Sequence, residues 1–212
     1  VNQDYGNIKG ITFSLTKRRT SADMVSFSMD YTFQVAEGND VSADAFFIDQ
    51  SSGRESEKVV VYLGWDQPHT LNGTLSISKY QNWNVSLIGR VGSGLPYTST
   101  VTNSQIIPRQ NSSRRPVQST VDMLAQKDFS IGDITFAIFL KVFNLLDALN
   151  EVSVYTDTGR ATYTLQSKYG DGPGIDARLA NTPGLHGTSD YYNNPSNYSP
   201  PREVRVGITV GF

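Results

Sequence analysis

The chain has 212 residues, 18% of them charged, a formal net charge of −2 and no cysteine. The length suits one domain, and the charge fraction lies below the ~25% usual for globular proteins. This balance carries no footprint of a nucleic-acid partner, and the lack of cysteine removes disulfides, thiolate chemistry and thiolate metal sites.

Seven stretches alternate apolar and polar residues with the period of an extended strand. The first sets Ile11, Phe13 and Leu15 against Thr12, Ser14 and Thr16. The second sets Val25, Phe27, Met29, Tyr31, Phe33 and Val35 against Ser26, Ser28, Asp30, Thr32 and Gln34. In the third, Leu71, Gly73, Leu75 and Ile77 oppose Asn72, Thr74, Ser76 and Ser78. In the fourth, Trp83, Val85, Leu87, Gly89 and Val91 oppose Asn84, Ser86, Ile88, Arg90 and Gly92. The fifth is less regular, with Val121, Met123, Ala125 and Phe129 against Asp122, Leu124, Gln126 and Asp128. The sixth sets Ile134, Phe136, Ile138, Leu140 and Val142 against Thr135, Ala137, Phe139 and Lys141. The last sets Val204, Val206, Ile208, Val210 and Phe212 against Arg205, Gly207, Thr209 and Gly211.

Alternation alone also fits a soluble β-sandwich, which remains an alternative. Two features favour a membrane barrel. The polar faces consist mainly of Ser, Thr, Asn and Gly, where a soluble sheet shows Lys and Glu to water and guards its edges with charge. The strands also run to about ten residues, the length that crosses a bilayer at a tilt. No apolar run reaches the ~18 residues of a transmembrane helix; the nearest, Ile134 to Leu140, stops at Lys141.

The connections alternate in length. Short turns lie near 18–23, 79–82 and 130–133, and long segments span about 36–68, 97–116 and 144–201. Short periplasmic turns and long extracellular loops are the outer-membrane arrangement. The expected fold class is therefore all-β, a transmembrane antiparallel β-barrel portion filling residues 1–212 as a single C-terminal segment. Seven strands cannot close antiparallel, because bacterial single-chain barrels hold an even number. The chain is thus expected to be part of a larger barrel, with the missing N-terminal strands upstream in a longer precursor or on another chain. Its opening residues do not read as a signal peptide, so an envelope location implies processing or such a precursor.

Several stretches resemble the TonB-dependent outer-membrane receptors over nearly the whole chain. They are Gly10 to Arg18, Trp65-Asp66-Gln67-Pro68-His69-Thr70-Leu71-Asn72, Gly92-Ser93-Gly94-Leu95-Pro96-Tyr97-Thr98, Val121-Asp122, Lys127-Asp128-Phe129 and Val142-Phe143-Asn144-Leu145-Leu146-Asp147. Each is a weak signature, and their order and spacing carry the likeness. Val204, Val206, Ile208, Val210 and Phe212 are similar to the family's C-terminal assembly signal. The resemblance implies a barrel of about 22 strands with a plug. It also implies location in the bacterial cell outer membrane with a periplasmic C-terminus, and uptake of an unidentified ligand through the TonB complex. The plug and the TonB-contacting segment lie N-terminal in such receptors, so none of their residues carries over.

No catalytic constellation and no cofactor site is apparent, and the chain is not expected to be an enzyme. His69 reads as a residue fixing a loop-to-strand junction, and His186 as a loop residue. Asp157, Asp171 and Asp176 lack the spacing of a calcium loop and read as solvated turn acids, so no metal is expected. Val152 to Tyr155 and Ala161 to Leu165 flank Thr156 to Arg160 as a hairpin finger with a positive-φ glycine. Tyr155, Arg160, His186, Tyr191 and Tyr192 are the candidate ligand-binding residues. The tyrosines suit stacking on a glycan or chelate, and they suit packing of so long a loop upon itself.

Trp83, Tyr80 and Phe212 fit an aromatic girdle at one rim, with Tyr31 and Phe33 at the other. Asp30, Arg90, Lys141 and Arg205 are expected to face the lumen, since a basic residue at the lipid midplane costs about 2–4 kcal/mol. Ile88, Leu124 and Phe139 share that side and suggest a dry patch against a plug. The function expected is a segment of a TonB-dependent receptor or transporter, with outer-membrane lipid as a partner. The alternative is a structural or interaction subunit of an envelope assembly. Its barrel would be completed by another chain, and its long loops would engage an extracellular partner protein.

Overall fold

Alternation at this length leaves the backbone few options, because only a pleated strand sorts odd and even residues onto two faces. The computed structural model describes residues 5–20, 23–39, 51, 53, 59–79, 82–100, 108–132, 134–166, 174 and 192–211. The seven alternating stretches form the long strands β1 (Gly6–Lys17), β2 (Val25–Gly38), β4 (His69–Lys79), β5 (Trp83–Gly92), β8 (Gln118–Ile131), β9 (Ile134–Phe143) and β10 (Glu203–Gly211). Three further strands, β3 (Val61–Tyr62), β6 (Pro96–Tyr97) and β7 (Ser113–Arg114), have two residues each.

The sheet is antiparallel and ordered β1-β2-β4-β5-β8-β9-β10, with β3 on the end of β2, while β6 and β7 make a separate hairpin. It is an open sheet: β1 and β10 are its two edges, and β10 pairs with β9 alone among the described strands. One ladder of β10 is therefore unpaired among the described residues. Short turns join β1 to β2, β4 to β5 and β8 to β9, and the long connections all emerge at the opposite end. The tightest turn joins Ile131 to Ile134, and its Gly132 sits at φ +62°, the positive value that primed hairpin turns require.

Directly opposed residues share a face, so the register decides whether seven separate apolar sides form one surface. They do. Leu15 opposes Met29, Met29 opposes Gly73, and Phe27, Leu75, Leu87, Met123, Val142 and Val204 follow one another straight across six strands. None of the described residues covers this surface. Phe13 is 62% exposed and Val206 71%, and among the described residues the buried apolar ones are Ala36, Val61, Val142 and Ala161. The described residues form a single layer with no core between layers, contrary to what a sandwich needs.

The apolar residues expected as a patch on the polar side lie on that side but not in one row. Ile88 opposes Asp122, Leu124 opposes Ser86 and Lys141, and Phe139 opposes Gln126 and Gly207. Each is offset by two residues from the last, a diagonal that long side chains still bridge. The turns are staggered similarly: the Asp128 amide donates to the Asn82 carbonyl at 2.8 Å, so the β4–β5 turn ends three residues short of the end of β8.

The expected hairpin finger does not form. The turn is there, with Gly159 at φ +69° and the Tyr155 amide bonded to the Arg160 carbonyl at 3.0 Å, but its flanks are not strands. Their amides are taken elsewhere. Val152 and Ser153 donate to the Asn197 carbonyl, Ala161 to the Glu151 carboxylate and Leu165 to the Asp157 carboxylate.

Candidate functional site

The polar face is built of hydroxyls and amides punctuated by a few charges. Thr12 and Thr32 hydroxyls meet at 3.0 Å, those of Ser76 and Ser86 at 2.8 Å, and Ser14 donates to Asp30 at 2.5 Å. Asp30, Asn72, Arg90 and Thr120 stand directly opposite one another across four strands. Lys141 and Arg205 oppose each other on β9 and β10. The four residues expected to face the lumen thus all lie on this side. Lys141 rests over the Phe139 ring at 5.2 Å, and Arg205 bonds Glu203 at 2.5 Å and covers the Phe143 ring at 4.9 Å.

At the long-loop end, a set of buried polar side chains ties the loops to the strands. Asp66 is fully buried; its carboxylate accepts the Ala36 amide at 2.6 Å and pairs with Arg114, which also bonds the Asp66 carbonyl. Gln67 donates to the Ser93 carbonyl at 2.7 Å, and Ser93 exchanges bonds with His69 through its amide (2.8 Å) and hydroxyl (3.0 Å). His69 therefore fixes the junction as expected, while its ring bonds Tyr31 at 2.8 Å and packs on Phe33. The stretches around Asp66 and Ser93 form one joint.

A second joint uses Asp122 and Asn144. The Asp122 carboxylate accepts the Asn144 amide at 2.8 Å. Asn144 and Asp147 sit at φ 50° and 53°, left-handed values that Asn and Asp tolerate best after glycine. The Asn144 side chain holds both backbone groups of Ala148 and also reaches the Pro200 carbonyl at 3.1 Å. Asp147 receives the Arg202 amide at 2.8 Å, which aims the chain into β10. Asn150 then acts as a substitute strand, accepting the Ser119 amide and donating to its carbonyl, each at 2.8 Å.

Beneath these joints lies a recess of about 370 Å³ on the polar face, lined by Gln67, Asn72, Arg90, Gln118, Thr120 and Asn150 among others. Among the described residues, Arg90 is the only charged one in its lining. Its guanidinium has no hydrogen-bond or ion-pair partner among the described residues, whereas Gln67, Gln118 and Asn150 are held by backbone groups. A free planar fork of five donors beside fixed amides and hydroxyls can bind and orient an oxygen-rich ligand.

Of the residues expected to bind ligand, three are described, and they pack the loop. Arg160 forks onto the Glu151 carboxylate at 2.6 and 2.9 Å. The Tyr155 hydroxyl donates to the Tyr192 carbonyl, and their rings meet edge-on at 6.2 Å. Glu151 is nearly buried, and its carboxyl is held below the usual carboxylate range chiefly by the Arg160 hydrogen bond, against the opposing effect of burial. Asp157 is no solvated acid: it accepts Thr164 and Leu165, both at 2.7 Å. His186, Tyr191, Asp171, Asp176, Tyr80 and Phe212 lie outside the described residues. Val204, Val206, Ile208 and Val210 all stand exposed on the apolar face.

Asp66, Arg114, Asn144, Asn150 and Glu151 were not singled out for these roles in the sequence. The signal for Asn144 was its place after a strand end, where left-handed backbone is common; nothing local pairs Asp66 with Arg114. Among the described residues, no cluster of three or more His, Cys, Asp or Glu is placed to hold a metal ion. No family model, no curated protein and no solved structure matches the chain.

Proposed function

We propose that the chain is one wall of a transmembrane β-barrel in the bacterial outer membrane, within a receptor for TonB-dependent uptake of a polar, oxygen-bearing ligand. The observation that carries the membrane reading is the unbroken apolar surface across all seven long strands. Along β4, ten steps separate His69 from Lys79, with no charged residue between them. At ~3.3 Å per residue and ~45° of tilt that is about 23 Å of height, close to the ~25 Å apolar band of outer-membrane barrels. A water-soluble protein rarely leaves so large an apolar surface open. The two empty edges need partner strands, because unpaired backbone in lipid costs several kcal/mol per group. The recess around Arg90 faces away from the apolar surface, on the side a ligand would travel. The uptake role itself rests on the family resemblance of the strand-end stretches.

The natural absence of cysteine makes single-cysteine labelling direct. In outer-membrane vesicles, Ile208→Cys is expected to react with a lipid-soluble maleimide and to resist a membrane-impermeant one, while Thr209→Cys reacts with the impermeant reagent from the aqueous side. Equal labelling of the two by the impermeant reagent would sink the membrane-wall reading. An unheated detergent gel then separates the transporter from the partner-completed assembly. Release of a second polypeptide on heating would favour the latter.

A further inference from the structure

Among the described residues the apolar surface carries few charges. Lys9 and Glu37 lie at the long-loop end, Lys17 and Lys79 lie at the short-turn end, and Lys127 lies level with the β4–β5 turn, two apolar rows in from the β8–β9 turn. The three lysines share the face with the apolar residues, since Lys17 opposes Phe27, Lys79 opposes Trp83 and Trp83 opposes Lys127. Lys79, Trp83 and Lys127 therefore form one row across β4, β5 and β8. With strands ~4.8 Å apart, the two lysine stems bracket the indole at a separation of about 10 Å.

The ammonium groups of Lys17 and Lys127 bend towards the turns. Lys127 donates to the Asn82 side chain in the β4–β5 turn. Lys17 reaches Asp23 at 3.1 Å and the Val25 carbonyl at 3.5 Å. The Lys79 ammonium has no hydrogen-bond or ion-pair partner among the described residues. The acid nearest to Lys127 in sequence, Asp128, points to the other face and bonds Gln126 at 2.7 Å. Lysines that keep their stems on apolar surface and turn their heads to one rim are placed for a membrane interface, where tryptophan also settles.

We infer that Lys79, Trp83 and Lys127 form a binding site for the phosphate headgroup of an anionic phospholipid in the leaflet at the short-turn rim. The inference rests on the membrane-wall reading above. Two ammonium groups without a neutralising carboxylate supply the charge complement, each with donors to spare for phosphate oxygens. The indole sits between them at headgroup level, and the uncharged surface above Trp83 receives the acyl chains.

Quenching of Trp83 by brominated lipid tests this in the Trp65→Phe protein, where Trp83 is the remaining indole of these 212 residues and its signal is isolated by difference from Trp65→Phe with Trp83→Phe. The protein is reconstituted in phosphatidylcholine vesicles containing a minor share of brominated phosphatidylglycerol, or the same share of brominated phosphatidylcholine. Quenching by the phosphatidylglycerol probe is expected to be several-fold stronger, and Lys79→Gln with Lys127→Gln is expected to abolish that preference, while Lys9→Gln leaves it intact. Equal quenching by both probes in the parent protein would overturn the headgroup site and leave the membrane wall standing. Absence of quenching by either probe would overturn both.

Discussion

Asp66 and Arg114 are 48 residues apart in sequence, yet they form an ion pair, fully buried at Asp66 and half-buried at Arg114, that ties two long loops to the end of β2. The Asp66 carboxylate has no exposure at all, so its charge depends wholly on Arg114 and the Ala36 amide. Removing one partner of such a pair strands a charge in a desolvated place, at a cost of about 3–5 kcal/mol. Arg114→Met is therefore expected to lower the unfolding midpoint sharply, and Asp66→Asn with Arg114→Met to recover part of the loss. Denaturant titration of the three proteins checks this; a single variant as stable as the parent would remove the pair from the account.

The loop after β9 is expected to loosen in acid. Glu151 accepts Arg160 and the Ala161 amide, and its carboxyl is held below the ordinary 4.5, with the Arg160 hydrogen bond the largest cause. A depressed carboxyl contributes its stabilisation fully above the unfolded value and loses it as pH falls through the lower folded value. Protection of the Ala161 amide from hydrogen exchange should be constant from neutral pH down to about 5 and should fall away below 4.5. Glu151→Ala should lose it at all pH values, because a buried amide without an acceptor costs about 1–3 kcal/mol.

Lys141 and Arg205 face each other directly on the polar side of β9 and β10. Like charges directly opposed in a sheet destabilise it, and opposite charges contribute about 0.2–1 kcal/mol. Lys141→Glu should thus raise the unfolding midpoint slightly, with the gain shrinking as salt is added. A drop in stability at low salt would show that the Lys141 contact with Phe139 outweighs the repulsion.

Gly159 packs its turn against Tyr97 of β6. It holds φ +69°, and a Cβ there would meet the Tyr97 hydroxyl at 2.3 Å. Gly159→Ala therefore meets two separate obstacles, left-handed backbone worth about 1–2 kcal/mol and a steric clash. Adding Tyr97→Phe should relieve only the clash. Complete recovery in the double variant, read by thermal unfolding, would mean that the backbone strain is absent.

The strands, their alternation between short and long connections and the sharing of polar and apolar residues between two faces were legible because strand periodicity is local. Trp83 to Gly92 can be read off ten consecutive residues, and counting seven such stretches gives the odd number that fits an open sheet with β10 at its edge. The hairpin finger failed for the complementary reason: residues 152–165 have strand-like composition, but Glu151, Asp157 and Asn197 capture the amides that strands would have paired. Which stretches interlock also lay beyond local reading. Asp66 meets Arg114, Asp122 meets Asn144 and Lys79 shares a row with Lys127 only because cross-strand register brings them together. Sequence alone thus determined the face on which each side chain lies, through a period of two set by backbone geometry. The tertiary structure alone decided which side chains on that face are neighbours, because hydrogen-bond register is a relation between strands far apart in the chain.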